Sequence, residues 1–196
     1  MKNNKWSTRS IDDRDMNIVL FVSRNKDNRD ISNFKERRRS FTTKDNLDSK
    51  SLTDKFNEFV NKGISGELSR MYFSVNSRDE DKVYKDLLHF LIDTPDFNLC
   101  SIDSKIAGIA AANSNSKSKK WMFDFDINDE KLVNEFVSDI VAFDSEIEVS
   151  MHRTPHGYAI ITSRGFDTRT LLEKWKDVDV TLKRDDFLCV NWKRAV

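Results

Sequence analysis

The chain has 196 residues, of which 34% are charged and 38% hydrophobic, and its 33 basic and 33 acidic side chains give zero net charge. This length suits one core, or one domain with an extension, and the neutral charge argues against nucleic-acid binding through overall basicity. Because no apolar run approaches the about 20 residues that span a bilayer and the first residues lack a secretory signal, we expect a cytoplasmic protein with no membrane partner.

Residues 1–65 differ from the rest of the chain, and we predict that they form a charged N-terminal extension that is partly ordered. One strand is expected at residues 17–22 and a weak amphipathic helix at residues 52–60. The strongest basic feature is the run Lys-Glu-Arg-Arg-Arg at residues 35–39. Such a run is typical of a solvated helix face, and the alternative is a patch that contacts phosphates.

Residues 66–196 are predicted to form one α+β domain. The expected elements are, in chain order, a strand at 70–76, a helix around 83–91, strands at 105–112 and 120–127, a helix around 132–141, strands at 148–153 and 158–162, a helix at 168–176, and strands at 178–182 and 187–192. Short polar connections predict hairpins around residues 113–118, 154–157 and 183–186. We therefore expect a largely antiparallel sheet with helices packed on one face.

The most informative run is Trp-Met-Phe-Asp-Phe-Asp-Ile at residues 121–127. Side chains alternate along a strand, so Asp124 and Asp126 point to the same face. Two carboxylates so close repel each other unless a cation lies between them, and carboxylate oxygens are preferred ligands of Mg²⁺ and Mn²⁺. The alternative is a half-buried strand whose polar face meets water. The helix that follows directly would hold the pair on a rigid edge.

Together these features resemble the catalytic core of the archaeo-eukaryotic primase superfamily, in particular small primase–polymerase-like proteins of phages and plasmids. The family's hydrophobic-Asp-hydrophobic-Asp strand is matched by residues 123–126. Its small polar residue, turn with glycine and aromatic residue are matched by residues 154–158, but Ala159 stands at the position of the family's histidine. Where the family has a third acidic residue on a late strand, this chain has Asn191. The resemblance spans residues 66–192.

The resemblance implies metal-dependent nucleotidyl transfer on a nucleic-acid template, with Mg²⁺ or Mn²⁺ as cofactor. The expected partners are then a nucleoside triphosphate, single-stranded nucleic acid and phage or host replication proteins, in the cytoplasm of a host cell. The residues it assigns to the metal are Asp124, Asp126 and either Asp186 or Asp185. The residues it assigns to the substrate are Arg153, Thr154, Tyr158, Arg164 and Lys183.

The hairpin geometry offers a replacement for the missing histidine. If residues 155–156 are the two loop residues, His152 lies directly across from Ala159 on the same face, and we predict it as the catalytic imidazole. A slip of one residue in the register would place Arg153 there instead. The simpler interpretations are that His152 is a surface residue of the hairpin and that His156 is a turn-tip residue.

Three functions stay open at this stage. The first is an active primase–polymerase-like enzyme, which the acidic pair and the turn favour. The second is a catalytically lapsed domain that binds nucleotide, nucleic acid or a host protein, in replication or counter-defence, which Ala159, Asn191 and the neutral charge favour. The third is a metal-dependent nuclease with the same carboxylates, which ranks lower because no partner motif is recognisable.

Overall fold

The computed structural model describes residues 15–196, and in them the chain forms eight strands and five α-helices. The strands are β1 (Asn17–Ser23), β2 (Arg37–Thr43), β3 (Leu68–Ser74), β4 (Trp121–Phe125), β5 (Val149–Arg153), β6 (Tyr158–Thr162), β7 (Val180–Lys183) and β8 (Phe187–Arg194). The helices are α1 (Lys50–Asn61), α2 (Glu80–Asp93), α3 (Ile102–Ala110), α4 (Glu130–Phe143) and α5 (Arg169–Lys174). None of these helices is long and apolar enough to cross a membrane.

The strands form two antiparallel sheets of four strands each. Sheet 1 has the order β2-β1-β3-β8, and sheet 2 has the order β5-β6-β4-β7. The α+β class and the antiparallel pairing are therefore confirmed. The expectation of helices on one face is wrong, because α1 and α3 pack against opposite faces of sheet 1, while α4 and α5 cover one face of sheet 2.

The region before residue 66 contributes directly to sheet 1. Strand β1 lies in the middle of the sheet, paired with β2 on one side and β3 on the other. The predicted strand at residues 17–22 and the predicted helix at 52–60 are both confirmed. The basic run at residues 35–39 leads into β2, so its interpretation as a helix face is wrong. Residues 15–65 are thus integral to the fold.

An apolar contact joins the two sheets. Met122, Ala159 and Ile161 of sheet 2 pack in one buried cluster with side chains of sheet 1, including Met71 and Leu188. Period-two alternation sends the neighbouring residues of β4 and β6 to the other face of sheet 2, where they pack on α4. This helix begins after Asp129, whose carboxylate accepts hydrogen bonds from the backbone N–H groups of the first turn.

Two predicted hairpins are absent from the described part of the chain. Residues 105–110 belong to helix α3 and not to a strand, so residues 111–120 connect a helix to β4. Strands β7 and β8 lie in different sheets, because β7 pairs with β4 and β8 pairs with β3. The connection between β7 and β8 therefore crosses from sheet 2 to sheet 1.

A buried ion pair fixes that crossing. The guanidinium of Arg78 donates two hydrogen bonds to the carboxylate of Asp185, at 2.8 and 2.9 Å, and its side chain is only 1% exposed. Asn76 also donates to Asp185, and the backbone N–H of Val75 donates to the carbonyl of Asp186. Asp185 is therefore committed to the fold, which removes it as a candidate metal ligand.

We expect Asp185→Ala to lower the free energy of unfolding by about 3–5 kcal/mol, because it leaves a buried guanidinium unpaired. Urea denaturation measures this loss. The matched control is Asp167→Ala, which removes an aspartate from an exposed pair with Arg169 and should have little effect. Equal losses in the two variants would contradict a structural role for the crossing.

Candidate functional site

A cleft with a volume of about 920 Å³ lies over one face of sheet 1. The strand register arranges its floor in rows across the sheet. One row contains Ser40, Leu20, Tyr72 and Cys189, and the next contains Arg38, Val22 and Arg70. One side of the cleft is helix α3, and the other side is formed by β4, β7 and the turn between β5 and β6. The floor is thus apolar toward one end and cationic toward the other.

The acidic side of the cleft comes from strand β4 and the crossing loop. Asp124 pairs in register with Ala159 and Thr181, Asp126 follows directly after the strand, and Asp186 precedes β8. All three aspartates line the cleft. The acidic residues predicted for the site therefore share one cleft, but neither His152 nor Arg153, which were predicted beside them, lines it.

Lys183 lies between two of these carboxylates. Its Nζ donates to Oδ2 of Asp124 at 2.8 Å and is 3.4 Å from Oδ2 of Asp186. Burial alone would lower the pKa of Lys183, but the hydrogen bond and charge of Asp124, with those of Asp186, outweigh burial and raise it. The ammonium thus stays charged and neutralises the acidic group from within.

The carboxylates suit a divalent cation by their chemistry. Among residues 15–196, no three His, Cys, Asp or Glu side chains are close enough together to hold a metal ion between them in this conformation. Mg²⁺, however, is commonly bound by one or two carboxylates together with water and substrate phosphates. Asp124 and Asp126, with Asp186, supply such oxygens, and the Lys183 ammonium contacts two of them in place of another cation.

The opposite end of the cleft is basic and contains a buried ion pair. The Nη2 of Arg70 donates to Asp27 at 2.6 Å, and both side chains are 5% exposed. Arg24 binds the same carboxylate at 3.0 Å. Burial would raise the pKa of Asp27, but the hydrogen bonds and charges of Arg24 and Arg70 lower it, so Asp27 remains ionised. Lys26 and Arg38 are exposed and line the same end.

His156 is the imidazole of this cleft. Its Nε2 lies 2.8 Å from Nη2 of Arg70, in the strand facing it from sheet 1. Because a guanidinium only donates hydrogen bonds, Nε2 must accept, which leaves the ring hydrogen on Nδ1. The contact fixes the tautomer of His156 and connects the turn of sheet 2 with the floor of the cleft.

Gly157 holds the turn against the end of β4. The turn is closed by a hydrogen bond from the N–H of Thr154 to the carbonyl of Gly157, at 2.9 Å. A Cβ added at Gly157 would lie 2.0 Å from the carbonyl oxygen of Phe125 and 2.7 Å from that of Ile127. Only glycine permits this approach, which brings His156 to the side of the cleft that carries Asp126.

The structure brings together five of the predicted site residues and separates the others. Those that line the cleft are Asp124, Asp126, Thr154, Lys183 and Asp186. Those that lie elsewhere are His152, Arg153, Tyr158 and Arg164.

The placement of His152 corrects the prediction of a catalytic imidazole. His152 does lie opposite Ala159, as expected from the register. Ala159 in turn lies opposite Asp124. The backbones of His152 and Asp124 are therefore two strand spacings apart, about 10 Å. Its Nε2 is 3.2 Å from the hydroxyl of Ser150, and it lines a second cavity of about 310 Å³ together with Asn191.

The other separated residues have structural contacts. Arg153 donates to the hydroxyl of Tyr158 at 3.1 Å, and Tyr158 is buried in the core between sheet 2 and α4. Arg164 binds Asp144 and Glu146 at the exposed end of α4. Their assignment to the substrate is not supported by these positions.

Sequence reasoning missed the basic half of the cleft. Arg24, Arg38 and Arg70 lie on three different strands or loops, and their common position depends on the register of sheet 1. The contact between Arg70 and His156 joins residues 86 positions apart. The only local signal was the basic run at residues 35–39, whose alternative interpretation as a phosphate patch applies to Arg38.

Compared with protein-family models, with curated proteins and with solved structures, the chain shows no match.

The partly buried imidazole of His152 predicts a specific loss of stability in mild acid. Burial lowers its pKa below the ordinary value of 6.5, so the unfolded chain binds a proton that the folded protein does not. The free energy of unfolding should therefore fall as the pH drops below about 6.5, by at most about 1.4 kcal/mol per pH unit. Urea denaturation at about pH 7.5 and about pH 5.5 measures the fall.

In His152→Gln this part of the pH dependence should disappear, because glutamine does not titrate. A His89→Gln control, at an exposed position of α2, should retain the wild-type dependence. If wild type and His152→Gln lose the same stability over this interval, His152 is not the group responsible.

Proposed function

We propose that the cleft binds a nucleoside triphosphate with a divalent cation and transfers the nucleotide to a strand of nucleic acid, as in primase–polymerase-like enzymes. The observation that carries the proposal is that acidic and basic side chains line one cavity. The carboxylates of Asp124, Asp126 and Asp186 line it together with Arg70, His156 and exposed basic residues. A triphosphate that carries a metal needs both kinds of group.

The basic end suits the phosphates. Arg70 presents a guanidinium that Asp27 holds in place, and His156 beside it offers Nδ1–H as a further donor. Guanidinium groups recognise phosphate oxygens through paired hydrogen bonds. The role that the resemblance gives to a nucleotide-contacting histidine is thus available to His156, although Ala159 stands at the expected position.

The carboxylates would hold the cation, chiefly through Asp124 and Asp126. When bound, such an ion lowers the pKa of the attacking hydroxyl and neutralises charge on the leaving pyrophosphate. In the reaction, the 3′-hydroxyl oxygen of the strand forms a bond to the α-phosphorus of the triphosphate. The bond between that phosphorus and the bridging oxygen to the β-phosphorus breaks, pyrophosphate leaves, and the hydroxyl proton passes to solvent. No protein nucleophile is needed.

Lys26 and Arg38 support a role for nucleic acid. Both side chains are exposed where they line the cleft, so they extend positive charge from the triphosphate end toward solvent. Contacts between such residues and backbone phosphates depend strongly on salt but not on sequence. This arrangement suits a template strand of any sequence.

A second candidate is a domain that binds nucleotide or nucleic acid without catalysis. The bridge between Lys183 and the carboxylates of Asp124 and Asp186 favours it, because an internal cation already satisfies the acidic group. The two candidates share the binding site and differ in whether the triphosphate is turned over.

The test of turnover uses the full chain with labelled nucleoside triphosphates, a primed single-stranded template and Mn²⁺. We expect extension products from the wild type and at least about a hundredfold less from Asp124→Asn with Asp126→Asn, because those carboxylates hold the cation. The control is Asp177→Asn, an exposed aspartate outside the cleft, which should leave activity unchanged.

Each outcome decides between the candidates. Equal products from the wild type and the double variant would exclude this site as the source of activity. Triphosphate binding by the wild type without products would support the lapsed binder. Absence of both binding and products would overturn the two candidates together.

Lys183→Met tests whether the lysine ammonium competes with a metal ion for the carboxylates. Because the ammonium no longer competes for Asp124 and Asp186, we expect Mn²⁺ to bind about fivefold more tightly, which corresponds to about 1 kcal/mol. Electron paramagnetic resonance of free Mn²⁺ measures this directly. The control Lys174→Met removes an exposed lysine that pairs with Asp139 away from the cleft. Equal affinities in the two variants would show that Lys183 does not compete with the metal.

A further inference from the structure

The side of the cleft formed by α3 carries unusually small residues. Ser104, Ala107, Gly108 and Ala111 line the cavity, at the spacing of one helix face. The helix packs across β1 and β2, opposite the acidic side of the cleft. The floor of the cleft beside this helix includes Leu20, Val22 and Tyr72 in addition to charged side chains.

Gly108 has no structural reason to be glycine. A Cβ built there meets no atom within 4 Å, and its φ is not positive, since Gly66 is the only glycine with positive φ among the described residues. Glycine inside a helix is less stable than alanine. The missing side chain therefore keeps this side of the cleft open and its backbone accessible, at a loss of helix stability that packing does not explain.

A second observation at the cleft also indicates a ligand. Arg70 lines the floor with a side chain that is 5% exposed, and its Nε has no hydrogen-bond partner among the described residues. A buried guanidinium nitrogen without an acceptor is unusual in a folded protein. An anion in the cleft that reorients this guanidinium would supply the missing acceptor.

We propose that the α3 side of the cleft receives the base and sugar of the nucleotide, with the phosphates directed toward Arg70 and His156. This inference rests on the proposed function and adds the orientation of the substrate. A base is a flat, largely apolar ring system with few polar atoms on its edge. It fits between a helix face without large side chains and the floor at Leu20 and Tyr72, whereas the phosphates require the cationic end.

The size of the residue at position 108 should therefore control nucleoside binding and leave phosphate binding unchanged. We compare Gly108→Leu with Gly108→Ala, using two probes, ATP and inorganic triphosphate, each with Mg²⁺. Isothermal titration calorimetry gives the affinity, and thermal unfolding shows that the variants are folded. The leucine side chain enters open space, so it fills the cavity without disturbing the core.

We expect Gly108→Leu to weaken ATP binding at least about tenfold while the affinity for inorganic triphosphate changes less than about twofold. Gly108→Ala should bind ATP within about twofold of wild type and unfold at a higher temperature. Ser104→Leu, one turn earlier on the same face, should act like Gly108→Leu. Asp103→Leu is the control, because Asp103 is exposed on α3 and does not line the cleft.

The remaining outcomes overturn the inference in distinguishable ways. Unchanged ATP binding in both leucine variants would show that the base does not lie against α3. Equal weakening of ATP and inorganic triphosphate would place the phosphates there instead. If the wild type binds inorganic triphosphate as tightly as ATP, the base makes no contribution and the orientation is wrong. If the wild type binds neither probe, the proposed function itself fails, and this inference falls with it.

Discussion

The close approach of the two sheets at Ala159 is the constraint on which the cleft depends. Ala159 is 1% exposed and packs in one cluster with Met71 and Leu188 of the facing sheet. It also lies opposite Asp124 in the strand register and lines the cleft. A larger residue here would separate the sheets, because a packed contact of this kind has no space for extra atoms. The small side chain at position 159 thus has a structural explanation, and the imidazole that lines the cleft is that of His156 in the turn.

Both charged ends of the cleft contain one side chain of the opposite sign. Lys183 contacts Asp124 and Asp186 at the acidic end, and Asp27 contacts Arg24 and Arg70 at the basic end. Like charges that stand together in a partly buried cavity repel strongly, so each internal counter-ion permits its cluster to persist in the absence of a ligand. The difference lies in accessibility. The side chain of Asp27 is 5% exposed, whereas that of Lys183 is 32% exposed and has a flexible stem.

Local patterns allowed the prediction of most elements and of one half of the site. Alternation placed Asp124 and Asp126 on one face, and the turn chemistry fixed the β5–β6 register. Both features depend only on neighbouring residues. Helix α3 was missed because a run of Ile, Ala and Gly suits a strand as well as a helix. The prediction of a β7–β8 hairpin was wrong because each of these strands pairs with a strand that is distant in sequence. His156 does lie in the turn, as predicted, but its contact with Arg70 depends on a residue 86 positions away and could not be predicted.

Burial affects two side chains on the floor of the cleft, Cys189 and Tyr72. Burial raises the pKa of Cys189 to about 11 and also raises that of Tyr72, despite the nearby charges of Arg24 and Arg70. The thiol therefore remains protonated at neutral pH and cannot act as a nucleophile. The nucleotidyl transfer proposed above does not require such a nucleophile, because substrate atoms supply both the nucleophile and the leaving group while the protein supplies fixed charges.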